Sequence, residues 1–137
     1  MKGNENDMDK KEIKLMFTNA FEGDMIAPKA TIKIGGEEGM VAPYDMLFGA
    51  LGSCLYSTFL DVMKKKRIGF ERLEMVITGE KRTEIPTTLK WVKVEAKIVS
   101  PEKENGVEQS FKLATEYCSI YYTISQVAEM SYEIEII

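Results

Sequence analysis

Apolar and polar residues change rhythm along this chain, and each change of rhythm marks an element. From Glu12 to Phe17 the pattern alternates, with Ile13, Leu15 and Phe17 on one face and Lys14 and Met16 on the other. Ala30 to Ile34 alternates in the same way. A period of two is that of a half-buried strand, because successive side chains point to opposite faces. Phe21-Glu22-Gly23-Asp24 reads as the turn between the two strands, and Gly35-Gly36 ends the second. From Ala42 to Arg67 the period lengthens. Leu47, Ala50, Leu51, Cys54, Leu55, Thr58 and Val62 recur at three- and four-residue steps, one stripe of a long helix. Pro43 suits its first turn, where the missing N–H costs nothing. Met46, Phe48 and Phe59 make the other faces apolar, so most of the helix is expected to be buried. Gly49, Ala50, Gly52 and Ser53 give a small-residue surface beside Cys54. Each interior glycine costs about 1 kcal/mol against alanine, a cost offset where something approaches the backbone closely. Lys64 to Arg67 put positive charge at the negative end of the helix dipole and mark its end.

Beyond Gly69, Leu73, Met75 and Ile77 alternate with Glu74, Val76 and Thr78. Gly79 to Thr87 is charged and contains Pro86, which predicts a long hairpin connection. Val92, Val94, Ala96 and Ile98 then oppose Trp91, Lys93, Glu95 and Lys97 in the clearest strand of the chain. Val107, Phe111, Ala114 and Cys118 return to helical spacing, with Cys118 at the C-terminal end of the stripe. Ser119 is placed to cap a second short helix through Ala128, with Ile120, Ile124 and Val127 inside. Tyr132, Ile134 and Ile136 form a last strand. The order strand, strand, long helix, strand, strand, helix, short helix, strand predicts an α+β fold with antiparallel pairing.

Composition narrows the chemistry. The 137 residues suit one domain, with residues 1–11 a polar, disordered lead-in and residues 12–137 the folded part. A net charge of −4 and a single compact basic run, Lys64–Arg67, argue against nucleic acid as a partner. No uninterrupted apolar run reaches the ~18 residues of a membrane helix, and the N-terminus lacks an apolar signal region, so a cytoplasmic protein without membrane association is expected. Histidine is absent. That removes Ser–His and Cys–His nucleophile pairs, and two cysteines are too few for a four-thiolate zinc site. No metal or cofactor is expected. On composition alone, Cys54 and Cys118 read as buried, inert thiols. Tyr117, Tyr121 and Tyr122 around Cys118 read either as packing or as the lining of an apolar pocket.

The stretch P-Y-D-M-L-F-G-A-L-G-S-C, on a helix ending K-K-K-R, resembles the first cysteine motif of the OsmC/Ohr family. L-A-T-E-Y-C-S-I before the final strand resembles the second, and the likeness runs from about Glu12 to Ile137, closer to the general OsmC-like branch. The resemblance implies an intertwined homodimer, with antiparallel sheets wrapped around long central helices. It implies a cysteine-based peroxidase that reduces organic hydroperoxides, with Cys54 the attacking thiol and Cys118 the resolving one. A dithiol, such as a lipoyl protein, would then reduce the disulfide. The family's glutamate follows the proline of the first motif; here Tyr44 holds that place and Asp45 comes next, so Asp45 reads either as a first-turn charge that complements the helix dipole or as the third candidate catalytic residue. The family's N-terminal arginine has no counterpart, since no arginine precedes Arg67. Mid-helix and among apolar neighbours, Cys54 is therefore expected to ionise at or above the ordinary ~8.5 of a cysteine. Two readings stay open: a thiol peroxidase, and a non-catalytic OsmC-like dimer that binds a small apolar ligand or partner.

Overall fold

The computed structural model describes residues 10–137. Most of the lead-in expected at residues 1–11 lies outside the described residues. Two units pack internally, one ending at Leu47 and the other covering Phe48–Ile137, and the division falls within the long helix.

In the first unit, β1 (Lys14–Phe17), β2 (Glu22–Ile26) and β3 (Thr31–Gly35) form an antiparallel sheet in that order. The strand β2 corrects the turn expected at Phe21–Asp24. Glu-Gly-Asp has the composition of a turn, but Gly23 pairs with Phe17 on one side and Ile34 on the other. Its missing side chain admits the neighbouring strand, because a Cβ there would collide with the Met16 carbonyl oxygen. Ile13, Leu15, Met16, Phe17 and Phe21 are all about half exposed. Val41 then donates to the Lys33 carbonyl at 2.9 Å.

The helix α1 (Pro43–Lys65) follows. Asp45 Oδ2 accepts the Ala42 backbone N–H at 2.9 Å, so this carboxylate satisfies a donor that the helix start would otherwise leave open. At the other end Ile68 N–H reaches the Met63 carbonyl at 3.0 Å, around Arg67 at φ 58°. That is the left-handed closing residue of a helix, here not a glycine.

In the second unit, β4 (Arg72–Lys81), β5 (Leu89–Val99) and β6 (Glu129–Ile136) form a sheet with β5 in the middle. Between β5 and β6 come α2 (Val107–Tyr117) and α3 (Ser119–Ser125). β4 and β5 are antiparallel, but β5 and β6 run parallel, with Val92 opposite Met130 and Ala96 opposite Ile134. This corrects the expectation of antiparallel pairing throughout. A chain that leaves one strand through two helices can return along the same direction, which a tight hairpin cannot. The fold is α+β, with two sheets and three helices among the described residues.

The core of this unit is a line of side chains from each element. Val92, Val94, Ala96 and Ile98 of β5 are buried, and so are Val107, Phe111 and Ala114 of α2. From α1 the buried set is Leu51, Leu55, Phe59 and Met63, every fourth residue. Phe111 joins the layers, with ring centroids 5.6 Å from Phe59 and 5.3 Å from Tyr132. The chain by itself thus buries one stripe of α1, narrower than expected and including Phe59. One sheet and one helix cannot cover a cylinder all round. An 18-residue window of α1 has a mean hydropathy of 1.4, enough by length and composition to cross a membrane. A search for uninterrupted apolar runs does not detect it, because polar residues interrupt the helix.

Gly79 lies in β4, not in a connection; the strand runs on to Lys81. A Cβ at Gly79 would lie 2.8 Å from the Phe48 ring and 3.0 Å from the Trp91 carbonyl oxygen. Gly79→Ala is therefore expected to lower unfolding free energy by roughly 1–3 kcal/mol, measured by urea denaturation. Unchanged stability would mean that Phe48 swings clear at no cost.

Candidate active site

Helical spacing puts Cys118 on the buried stripe of α2, but the residue itself stands just past that helix. Its backbone N–H donates to the Ala114 carbonyl at 2.9 Å, and its φ and ψ of −71° and 116° are extended. The same residue starts α3. Its Sγ accepts the Tyr121 N–H at 3.4 Å, so the sulfur is the cap of the short helix. The cap expected from Ser119 is thus made one residue earlier. Ser119 becomes the first residue of the helix, and its hydroxyl is left for another partner.

That partner side is α1. Cys54 lies three residues beyond the buried Leu51, so its side chain sits at the flank of the buried stripe and is partly exposed. The Sγ atoms of Cys54 and Cys118 are 3.1 Å apart, with Cys118 donating and Cys54 accepting. Ser119 Oγ stands 4.0 Å from Cys54 Sγ. Cys118 is 1 % exposed. The two cysteines expected to act together are therefore in contact, and only one of them can be reached from solvent.

The two thiols are also electrostatically unequal. Burial raises the Cys54 thiol, but the Ile120 backbone, the Cys118 thiol and the Ser119 hydroxyl and backbone outweigh it, and Cys54 ends below its ordinary value. For Cys118, burial is the largest influence and hydrogen bonding to Cys54 adds to it. Its pKa is pushed up to about 11, although the Tyr121 N–H acts in the opposite sense. A proton shared by the pair therefore belongs on Cys118, as the donor direction requires. This corrects the expectation that Cys54 ionises at or above the usual value. The groups that lower it are neutral donors, brought from the start of α3 and not from its own helix.

Asp45 makes its described hydrogen bond to Ala42, at the start of α1 and in the first unit, whereas both cysteines belong to the second. Tyr117 and Tyr122 are 69 % and 64 % exposed, so they neither pack in the core nor close a pocket over Cys118. Tyr121 is half-buried, and its phenol is raised by burial first and then by Tyr132 and Cys118. Among the described residues no cluster of histidine, cysteine or carboxylates could hold a metal ion. Ser119 is the site residue that sequence reasoning assigned to a different task; its position beside Cys118 was the available signal.

The family model described as OsmC-like protein matches residues 35–133, a span that contains both cysteines. The chain belongs to the OsmC-like protein family. Among solved structures it is similar to an OsmC-like protein from Mycoplasma pneumoniae, at 17 % identity and a TM-score of 0.83, covering 94 % of this chain and 98 % of the other. A hypothetical protein from Aquifex aeolicus matches at 24 % identity and 0.78, covering 95 % and 99 %. The organic hydroperoxide resistance protein OhrB of Bacillus subtilis is more distant, at 13 % identity and 0.67, covering 93 % and 99 %. At these identities the likenesses establish the fold. No curated protein matches the sequence.

Alkylation of the fully reduced protein by iodoacetamide, followed by peptide mass, checks the inequality of the thiols. Cys54 is expected to react with a midpoint well below that of Cys118, which stays protected until the pH approaches about 11. Cys118→Ala removes one of the donors to Cys54 and should move the Cys54 midpoint upward. Equal midpoints for the two thiols would contradict the assignment.

Proposed function

We propose that this protein is a thiol-dependent peroxidase that reduces organic hydroperoxides, with Cys54 attacking and Cys118 resolving. The observation that carries the reading is the 3.1 Å contact between a reachable sulfur of lowered pKa and a buried one of raised pKa. The attacking species in such chemistry is the thiolate. Cys54 attacks the outer oxygen of the hydroperoxide; an S–O bond forms, the O–O bond breaks, and the alkoxide takes a proton and leaves as the alcohol. The Cys118 thiolate then attacks the sulfenic sulfur; an S–S bond forms, the S–O bond breaks, and water leaves. A dithiol reductant, of which a lipoyl protein is one chemical class, returns both thiols by exchange. Three proteins of similar fold are named organic hydroperoxide resistance proteins, which supports this choice of substrate.

Asp45 is proposed only as the cap of α1 that its contact supports. A cytoplasmic homodimer is part of the same reading. An apolar groove of about 320 Å³ lies beside Gly49 and Gly52 of α1, walled by Phe48, Tyr56, Leu73, Met75 and Ile77. With the exposed stripe of α1 it offers a second copy a surface that resembles a divided core. The non-catalytic alternative would seat a small apolar ligand in the same groove, and thiol consumption separates the two readings.

One equivalent of cumene hydroperoxide should cost both free thiols, read as the mass of a disulfide. Cys118→Ser should leave Cys54 to climb to sulfinic acid, and Cys54→Ser should consume no peroxide. Since Cys118 must lose its proton to resolve, and its pKa is raised, disulfide formation should accelerate as pH rises from 7 toward 10. Two free thiols after excess hydroperoxide would end the peroxidase reading. Light scattering should give twice the 15.5 kDa mass of the chain; a folded monomer at micromolar concentration would remove the dimer.

A further inference from the structure

Serine is among the strongest helix-capping residues, far better than most side chains at satisfying an open N–H. In the turn between α2 and α3, however, the cap is the sulfur of Cys118, and Ser119 occupies the first helical position beside it. A local preference set aside in this way is a mark of a side chain needed elsewhere. Among the described residues, the hydrogen-bond partner of the Ser119 hydroxyl is Cys54 Sγ, at 4.0 Å. The Ser119 carbonyl is engaged separately by Thr123 Oγ1 at 3.0 Å. The residue is exposed, and its hydroxyl can turn toward the sulfur.

We propose that Ser119 is a third residue of the thiol site, its hydroxyl donating to Cys54 Sγ and holding that sulfur in its reactive, deprotonated form. The proposal rests on the peroxidase reading above and adds to it the group that performs a task usually given to a cation. A hydroxyl is both donor and acceptor. It donates to the thiolate before attack, and it can turn its lone pairs toward the S–OH proton afterwards. A fixed cation would hold only the first state. Of the titratable groups, Cys118 faces Cys54 from the α2–α3 turn, and Tyr121 on α3 faces Cys118, with Tyr132 of β6 beyond it. Cys118 and Tyr121 both keep their protons through neutral pH, since burial raises each of them. Ser119 is therefore the hydroxyl whose removal reports on Cys54 directly. The lowering of Cys54 by Ser119 agrees in direction.

The test uses the full-length reduced protein and the pH dependence of Cys54 alkylation, followed by peptide mass. Ser119→Ala should raise the midpoint by about half a unit to one unit, a loss of roughly three- to tenfold in thiolate at pH 7. The rate at pH 7 should fall by less, about two- to threefold, because a more basic thiolate is a better nucleophile. Ser119→Thr keeps a hydroxyl at the same place and should restore the midpoint. An unchanged midpoint in Ser119→Ala, or a midpoint in Ser119→Thr shifted as far as in the alanine variant, would overturn the proposal. Alkylation needs no peroxide, so this outcome is read independently. Failure of the native protein to consume hydroperoxide would instead strike the functional reading and leave the alkylation result standing.

Discussion

The site depends on a single sulfur that serves two structural partners. Cys118 Sγ accepts the Tyr121 N–H that opens α3 and donates its own proton to Cys54. The first contact fixes where the short helix starts; the second fixes how that start meets α1. Because the helix must begin where the sulfur is, the donors that follow, at Ser119 and Ile120, fall on Cys54. A buried sulfur in this position costs little in itself, since a thiol tolerates an apolar surrounding far better than a hydroxyl or a charge. Burial does keep it protonated, and that in turn makes it a donor.

The asymmetry of the pair follows from the layers beneath it. Phe111 and Ala114 are fully buried on the stripe of α2 that leads to Cys118, and Leu51 and Leu55 are fully buried on α1 on either side of Cys54 in sequence. One thiol sits past the end of a fully buried stripe and the other on the flank of a partly covered helix. Packing therefore decides the access of both thiols and the weak acidity of Cys118, while donors from the start of α3 set the acidity of Cys54. For a chain with no arginine before Arg67, neutral donors around a half-buried sulfur are a consistent way to favour its ionised form.

The α+β class, the long helix and the stripe that ends in Cys118 were legible because each depends on a period that the residues themselves repeat. The buried face of β5 was legible for the same reason. What was missed depends on partners distant in sequence. β2 carries Glu22, Gly23 and Asp24, whose turn-like composition is overruled by pairing on both edges. The direction of β6 relative to β5 depends on how α2 and α3 return the chain, and the alternation within β6 is the same either way. The cap at Cys118 ran against the ranking of capping residues. The acidity of Cys54 was misjudged because only its own helix and a cation from the N-terminal strands were weighed, while the donors arrive from a turn more than sixty residues later. The pairing of the two cysteines came from resemblance; spacing alone left them as ordinary core thiols.

The parallel return of β6 beside β5 has a consequence for how the protein matures. A parallel pair cannot close until the intervening segment, here α2 and α3, has been laid down and docked. Its contacts are long in sequence, and such contacts form late because the loop between them must first be closed at an entropic cost. The strand that completes this crossover, Glu129–Ile136, follows both helices in the chain. During synthesis, Cys54 emerges and can join a helix well before Cys118 has a surface to rest on. The thiol pair itself joins residues 64 apart in the chain, so it too forms only once that loop has been closed.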